Sequence, residues 1–109
     1  MLRNTRILIS DDDETLCYLL KEELINEGFI VDVVYDGREA IASLQKNQYD
    51  LLLLDLEMKE VQGDEVLRFV RENIPDLTVI VLTANAELRT AVNCIKLGAY
   101  DFITKPPEM

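Results

Sequence analysis

The chain has 109 residues, 49% of them apolar and 29% charged, with only four glycines and three prolines, which is the make-up of one compact domain rather than of two domains or a disordered tail. A domain of this size buries about two-thirds of its unfolded surface, enough for one core without disulfide or metal staples. The 21 acidic side chains outweigh 11 basic ones to leave a net charge of −10, which argues against direct nucleic-acid binding, because nothing would displace the counterions of a phosphate backbone, and favours a cation or a basic partner surface.

No apolar run approaches the ~20 residues needed to span a bilayer. The start, Met1 to Arg6 running straight into Ile7-Leu8-Ile9, has no signal-peptide layout. A soluble, cytoplasmic protein without membrane contact is expected. The absence of histidine removes Ser-His chemistry and most zinc sites. Cys17 and Cys94 have no metal-type or redox-type spacing and read as two reduced, buried thiols.

In chain order, Ile7-Leu8-Ile9 is a short strand. Leu16, Leu20 and Leu24 then recur at helical spacing among charged residues, with Gly28 as the stop. Phe29 to Val34 is a second strand closed by Asp36-Gly37, and Ala40, Ile41 and Leu44 mark a second helix. Leu51 to Leu54 is apolar on both faces. After Gly63, the residues Val66, Leu67 and Val70 give a third helix that Pro75 ends. Leu77 to Leu82 is another two-sided strand, Ala86 to Leu97 a fourth helix ended by Gly98, and Tyr100 to Ile103 a fifth strand before Lys105-Pro106-Pro107.

Strict alternation of strand and helix implies parallel strands with right-handed crossovers, and strands apolar on both faces imply helices on both sides. The fold class is a doubly wound α/β domain with a five-stranded parallel sheet, whose ligands bind at the carboxyl edge. That edge collects Ser10, Asp11, Asp12 and Asp13 after the first strand, Asp36 after the second, Asp55 after the third, Thr83 after the fourth and Lys105 after the fifth. Asp11, Asp12 and Asp55 converging in one cleft would repel one another unless a hard divalent cation such as Mg²⁺ joined them. Thr83 and Lys105 can hold phosphoryl oxygens, and a carboxylate beside a metal and a lysine is a possible phosphoryl acceptor. Each residue also has a plain reading: the Asp run as a helix cap, Asp55 as a strand end, Thr83 as a cap for the fourth helix, Lys105 as a solvated charge.

Four segments, Arg6 to Glu14, Asp50 to Met58, Leu82-Thr83-Ala84 and Asp101 to Pro106, together resemble the receiver domain of two-component response regulators. The resemblance implies the flavodoxin-like strand order 2-1-3-4-5. It makes Asp55 the phosphoacceptor, Asp12 the direct Mg²⁺ ligand, Asp11 a ligand largely through water, and Glu57 a ligand through its backbone carbonyl. Thr83 matches the switch hydroxyl, Ala84 the small residue beside it, Phe102 the aromatic switch (or an ordinary core aromatic), and Lys105 the phosphoryl-binding lysine. The implied partners are a sensor histidine kinase and an output domain or effector, with a homodimer also open. The implied activity is assistance with its own phosphorylation and dephosphorylation rather than conventional turnover. Gly98 to Pro106 is similar to receivers of enhancer-binding transcription activators, and a cis Lys105-Pro106 bond is expected from the same resemblance.

Departures from the family pattern are Lys59 in place of a common proline, the extra carboxylate of Glu57, and Pro107 where an aromatic is frequent. The chain also stops where a fifth helix would begin, so residues 1–109 are expected to form a C-terminally short receiver domain with one apolar sheet face under-covered. The rival readings are a phosphoesterase of the haloacid dehalogenase type, which needs an aspartate where Glu57 stands, and a phosphorylation-independent interaction module.

Overall fold

The computed structural model describes residues 4–58, 62–83 and 88–105, with side chains omitted for 88–91. Its elements alternate without exception: β1 (Arg6–Ser10), α1 (Glu14–Asn26), β2 (Ile30–Val34), α2 (Gly37–Lys46), β3 (Leu51–Asp55), α3 (Gly63–Asn73), β4 (Thr78–Thr83), α4 (Leu88–Lys96) and β5 (Asp101–Thr104). The five strands form one sheet in the order β2-β1-β3-β4-β5, with every neighbouring pair parallel. This is the doubly wound architecture expected from the alternation, with four helices among the described residues. No helix among them is long and apolar enough to cross a membrane.

Strand alternation divides the core in two. Leu8, Leu52, Leu54, Val79 and Val81 point to the face packed by Ala40 and Leu44 of α2, Val66, Leu67 and Val70 of α3, and Cys94 of α4. Ile7, Ile9, Leu53 and Leu82 point the other way, against Leu16, Cys17 and Leu20 of α1. Full burial of one such side chain contributes about 1.5–3 kcal/mol. On the α1 face among the described residues, coverage thins toward the β4–β5 edge: Ile80 is only partly buried and Ile103 is 39% exposed.

Element ends differ slightly from the sequence expectations, for local reasons. β2 begins at Ile30 because the Phe29 amide donates to Leu24 O and still belongs to the helix exit, where Gly28 takes a φ of +96°. β4 begins at Thr78 because the Leu77 amide donates to Ile74 O. Tyr100 stands outside β5 and is exposed. The expected start of the fourth helix at Ala86 lies outside the described residues. At the carboxyl edge, β3 extends to Asp55 and β4 to Thr83, so both residues are held as terminal strand residues.

Candidate phosphoacceptor and metal site

The register places four strand ends beside one another. Ser10 of β1 pairs with Leu54 of β3, Asp55 with Leu82 of β4, and Thr83 with Thr104 of β5. The chain continues from Ser10 into Asp11 and Asp12, and from Thr104 into Lys105, whose amide donates to Thr83 O at 2.8 Å. Asp11 and Asp55 are 0% and 3% exposed, whereas Asp12 is exposed at the mouth of the site. Carboxylate oxygens of all three lie within 4.8 Å of one another.

The acidic run after β1 divides its labour. Asp13 is the cap of α1, its Oδ1 accepting the Leu16 amide at 3.1 Å. Asp11 Oδ1 accepts the Asp13 amide at 2.9 Å, which turns the loop. The plain reading therefore holds for Asp13 alone, while Asp11 and Asp12 meet Asp55. Asp36 is the cap of α2, accepting the Glu39 amide at 2.8 Å, and is outside the acidic cluster.

Lys105 Nζ lies 2.7 Å from Asp11 Oδ2 and 3.3 Å from Asp55 Oδ2. The first gives the fully buried Asp11 an ammonium partner for Oδ2. Burial works against the ammonium, but its contacts with Asp11 and Asp55 outweigh that and hold Lys105 above the ordinary lysine range. Asp55 is pushed up to about 6, first by burial and then by the Asp11 charge. The Glu57 amide, which donates to Asp55 Oδ1 at 3.2 Å, and Lys105 pull it partly back.

One ammonium facing three carboxylates within 4.8 Å of one another leaves the cleft under-neutralised. That fits a hard cation with oxygen ligands, Mg²⁺ above all. The remaining expected residues flank this centre. Thr83 is 2% exposed at the end of β4. The Glu57 side chain is exposed and outside the cluster, leaving its backbone as the part near Asp55. Phe102 is half-buried, paired with Val81, and packs on the face shared by α2, α3 and α4. Strand alternation puts Thr83 on that same face, two residues further along β4. Lys59, Ala84, the Lys105-Pro106 bond and Pro107 involve residues outside those described.

Gly63 is a site residue that the sequence reading used only as a helix boundary. A Cβ there would lie 2.5 Å from Asp55 O and 2.6 Å from Leu56 Cα, so α3 begins pressed against the backbone of the acidic residue itself. Its amide donates to Leu56 O at 3.1 Å. A glycine at a helix start was the available signal, but what it approaches depends on tertiary packing.

The sequence profile of the family described as "Response regulator receiver domain" matches residues 7–109. "Response regulator ArlR" of Staphylococcus saprophyticus is 36% identical over 102 residues, covering 94% of this chain and 46% of that protein. "DNA-binding transcriptional regulator NtrC" of Proteus hauseri is 30% identical over 105 residues, covering 96% of this chain and 22% of that protein. This chain thus spans less than half the length of these relatives. Among solved structures, response regulator protein TrrA of Thermotoga maritima, in complex with Mg(2+)-BeF, superposes with a TM-score of 0.84 at 36% identity, covering 93% of this chain and 86% of that one.

Proposed function

Because this chain belongs to the response regulator receiver domain family, we propose that it accepts a phosphoryl group on Asp55, assisted by Mg²⁺, and relays that event through the surface around α4 and β5. The observation that carries the reading is the convergence of Asp11, Asp12 and Asp55 within 4.8 Å, with Lys105 bridging two of them. The structure of TrrA in complex with Mg(2+)-BeF supports it by likeness.

Asp12 and Asp55 would hold Mg²⁺, with the Glu57 backbone carbonyl and with Asp11 beside them. The cation supplies neutralisation of negative charge on the transferring phosphoryl oxygens. An ionised Asp55 oxygen attacks the phosphorus of a phosphohistidine on a sensor histidine kinase. The O–P bond forms as the N–P bond breaks, and the imidazole leaves to be protonated. Lys105, beside Asp55, supplies its ammonium to the phosphoryl oxygens, and positioning of these groups accounts for most of the catalysis. Thr83 then turns its hydroxyl to the new phosphoryl group and Phe102 turns inward, which biases the α4–β5 surface toward binding an output domain or effector. The relatives carry different names and lengths, so an enhancer-binding activator is one output among those proposed. The cell interior, where sensor kinases present phosphohistidine, is the proposed location.

The test is incubation with a small phosphodonor and Mg²⁺, followed by peptide mass spectrometry. The wild-type chain is expected to gain one phosphoryl group on Asp55 and the Asp55→Asn variant none, because an amide is a poor nucleophile. Full labelling of the variant would overturn the assignment.

A further inference from the structure

Ser10 is the last residue of β1, fully buried, and its hydroxyl donates to Met58 Sδ at 3.2 Å. Strand alternation puts its side chain on the face of Leu8, toward α2 and α3, in the larger apolar cluster to which Met58 also belongs. A thioether is a weak acceptor, and a buried hydroxyl with so poor a partner is disfavoured relative to an apolar side chain. Core packing thus gives no reason for a hydroxyl at this position. Its place in the fold does. Ser10 immediately precedes Asp11, and Met58 immediately follows Glu57, whose amide donates to Asp55 Oδ1.

We propose that Ser10 is a positioning residue for the phosphoacceptor: by holding Met58 it fixes the segment 56–58 so that the Glu57 amide reaches Asp55 and the Glu57 carbonyl is available to a cation. The Glu57 to Asp55 bond, at 3.2 Å, is at the long end of the hydrogen-bond range, so a small drift of Met58 suffices to break it. The loop after β3 gains a tether to β1 that backbone pairing does not supply, and the two acidic loops are kept in one arrangement. The consequence for the cation rests on the phosphoacceptor reading, but the tether itself does not.

The experiment uses the full 109-residue chain with Ser10→Ala, with Met58→Leu, which removes the sulfur while retaining bulk, with both together, and with Ser10→Thr, which restores a hydroxyl. Amide hydrogen exchange of Glu57, read by NMR without metal or phosphodonor, is expected to accelerate roughly tenfold in each of the first two variants. The double variant should go no further, because both substitutions break one tether, and Ser10→Thr should return Glu57 toward wild-type exchange. Mg²⁺ titration should show affinity falling roughly tenfold in the same two variants, as for other groups that orient metal ligands. Glu57 exchange in both single variants within about twofold of wild type, or additive effects in the double variant, would overturn the proposal. The exchange readout needs no phosphoryl chemistry, so it stands even where labelling of Asp55→Asn has sunk the phosphoacceptor reading.

Discussion

Asp55 carries the central electrostatic conflict in one carboxyl group. Burial and Asp11 raise it from 3.8 to about 6, so between those values the folded chain holds more protons than the unfolded one. Stability contributed by this group therefore falls as pH rises through that window, and the full penalty persists at neutral pH. Asp55→Asn is expected to melt higher than wild type at pH 7.5, by a difference on the order of 1–3 kcal/mol, and the gap should close as pH falls toward 4. Thermal melts across pH check this; a gap independent of pH would assign the gain to something other than ionisation. Gly63 presents the opposite kind of constraint. Its substitution by alanine drives a Cβ into the Asp55–Leu56 backbone and is expected to cost about 1–3 kcal/mol while lowering phosphoryl uptake, because overpacking here shifts the acceptor itself. Denaturant unfolding together with labelling tests both halves, and an unaffected Gly63→Ala chain would mean that α3 can retreat freely. The need for a glycine next to Asp55 was not legible from the sequence, since the two residues approach only when α3 docks.

At the scale of elements, the ends of helices decide which carboxylates serve structure and which serve chemistry. Asp13 and Asp36 both accept an amide of the first helical turn, which satisfies donors that a helix start leaves open. Around α2 the Tyr35 amide also donates to Glu39 Oε1 at 2.9 Å, tying the approach segment to the first turn. Asp13→Ala is expected to cost about 1 kcal/mol of stability while leaving Mg²⁺ affinity intact. Asp12→Ala should do the reverse, abolishing Mg²⁺ binding with no loss of melting temperature, because removing one of three mutually repelling carboxylates relieves the metal-free site. Melts and metal titrations on the two variants form a crossed test. Loss of both properties in either one would show that cap and site are not separable. The sequence presented cap and metal site as competing accounts of the whole Asp run; the backbone path through Asp11 and Asp13 assigns them to different residues.

At the scale of the whole molecule, the two faces of the sheet are unequally covered. Among the described residues three helices pack on one side and α1 on the other, where Ile80 and Ile103 toward the β4–β5 edge keep part of their surface open. A partly open apolar face on a chain of net charge −10 sets attraction against long-range repulsion. We expect the 109-residue chain to take up a hydrophobic dye and to self-associate more at high salt, which screens the repulsion. Ile103→Lys should diminish both. Sedimentation at two salt concentrations checks this, and a constant monomeric mass with no dye uptake would show that the open area is too small to matter.

The element order and the two-sided strands were legible because hydrophobic periodicity is local: Leu51 to Leu54 announces a buried strand, and Leu16, Leu20 and Leu24 a helix stripe, whatever lies elsewhere. Asp11, Asp12, Asp55, Thr83 and Lys105 were legible as edge residues because parallel strands all end on one side. Only the tertiary structure decided that Lys105 bridges Asp11 and Asp55, that Asp11 spends one oxygen on the Asp13 amide, that Gly63 abuts Asp55, and that Ser10 reaches Met58. Apart from the Asp11–Asp13 turn, which is local but one of several the Asp run could make, those contacts join different elements, and their existence depends on sheet register and on the depth at which each helix seats, quantities that no local pattern of residues encodes.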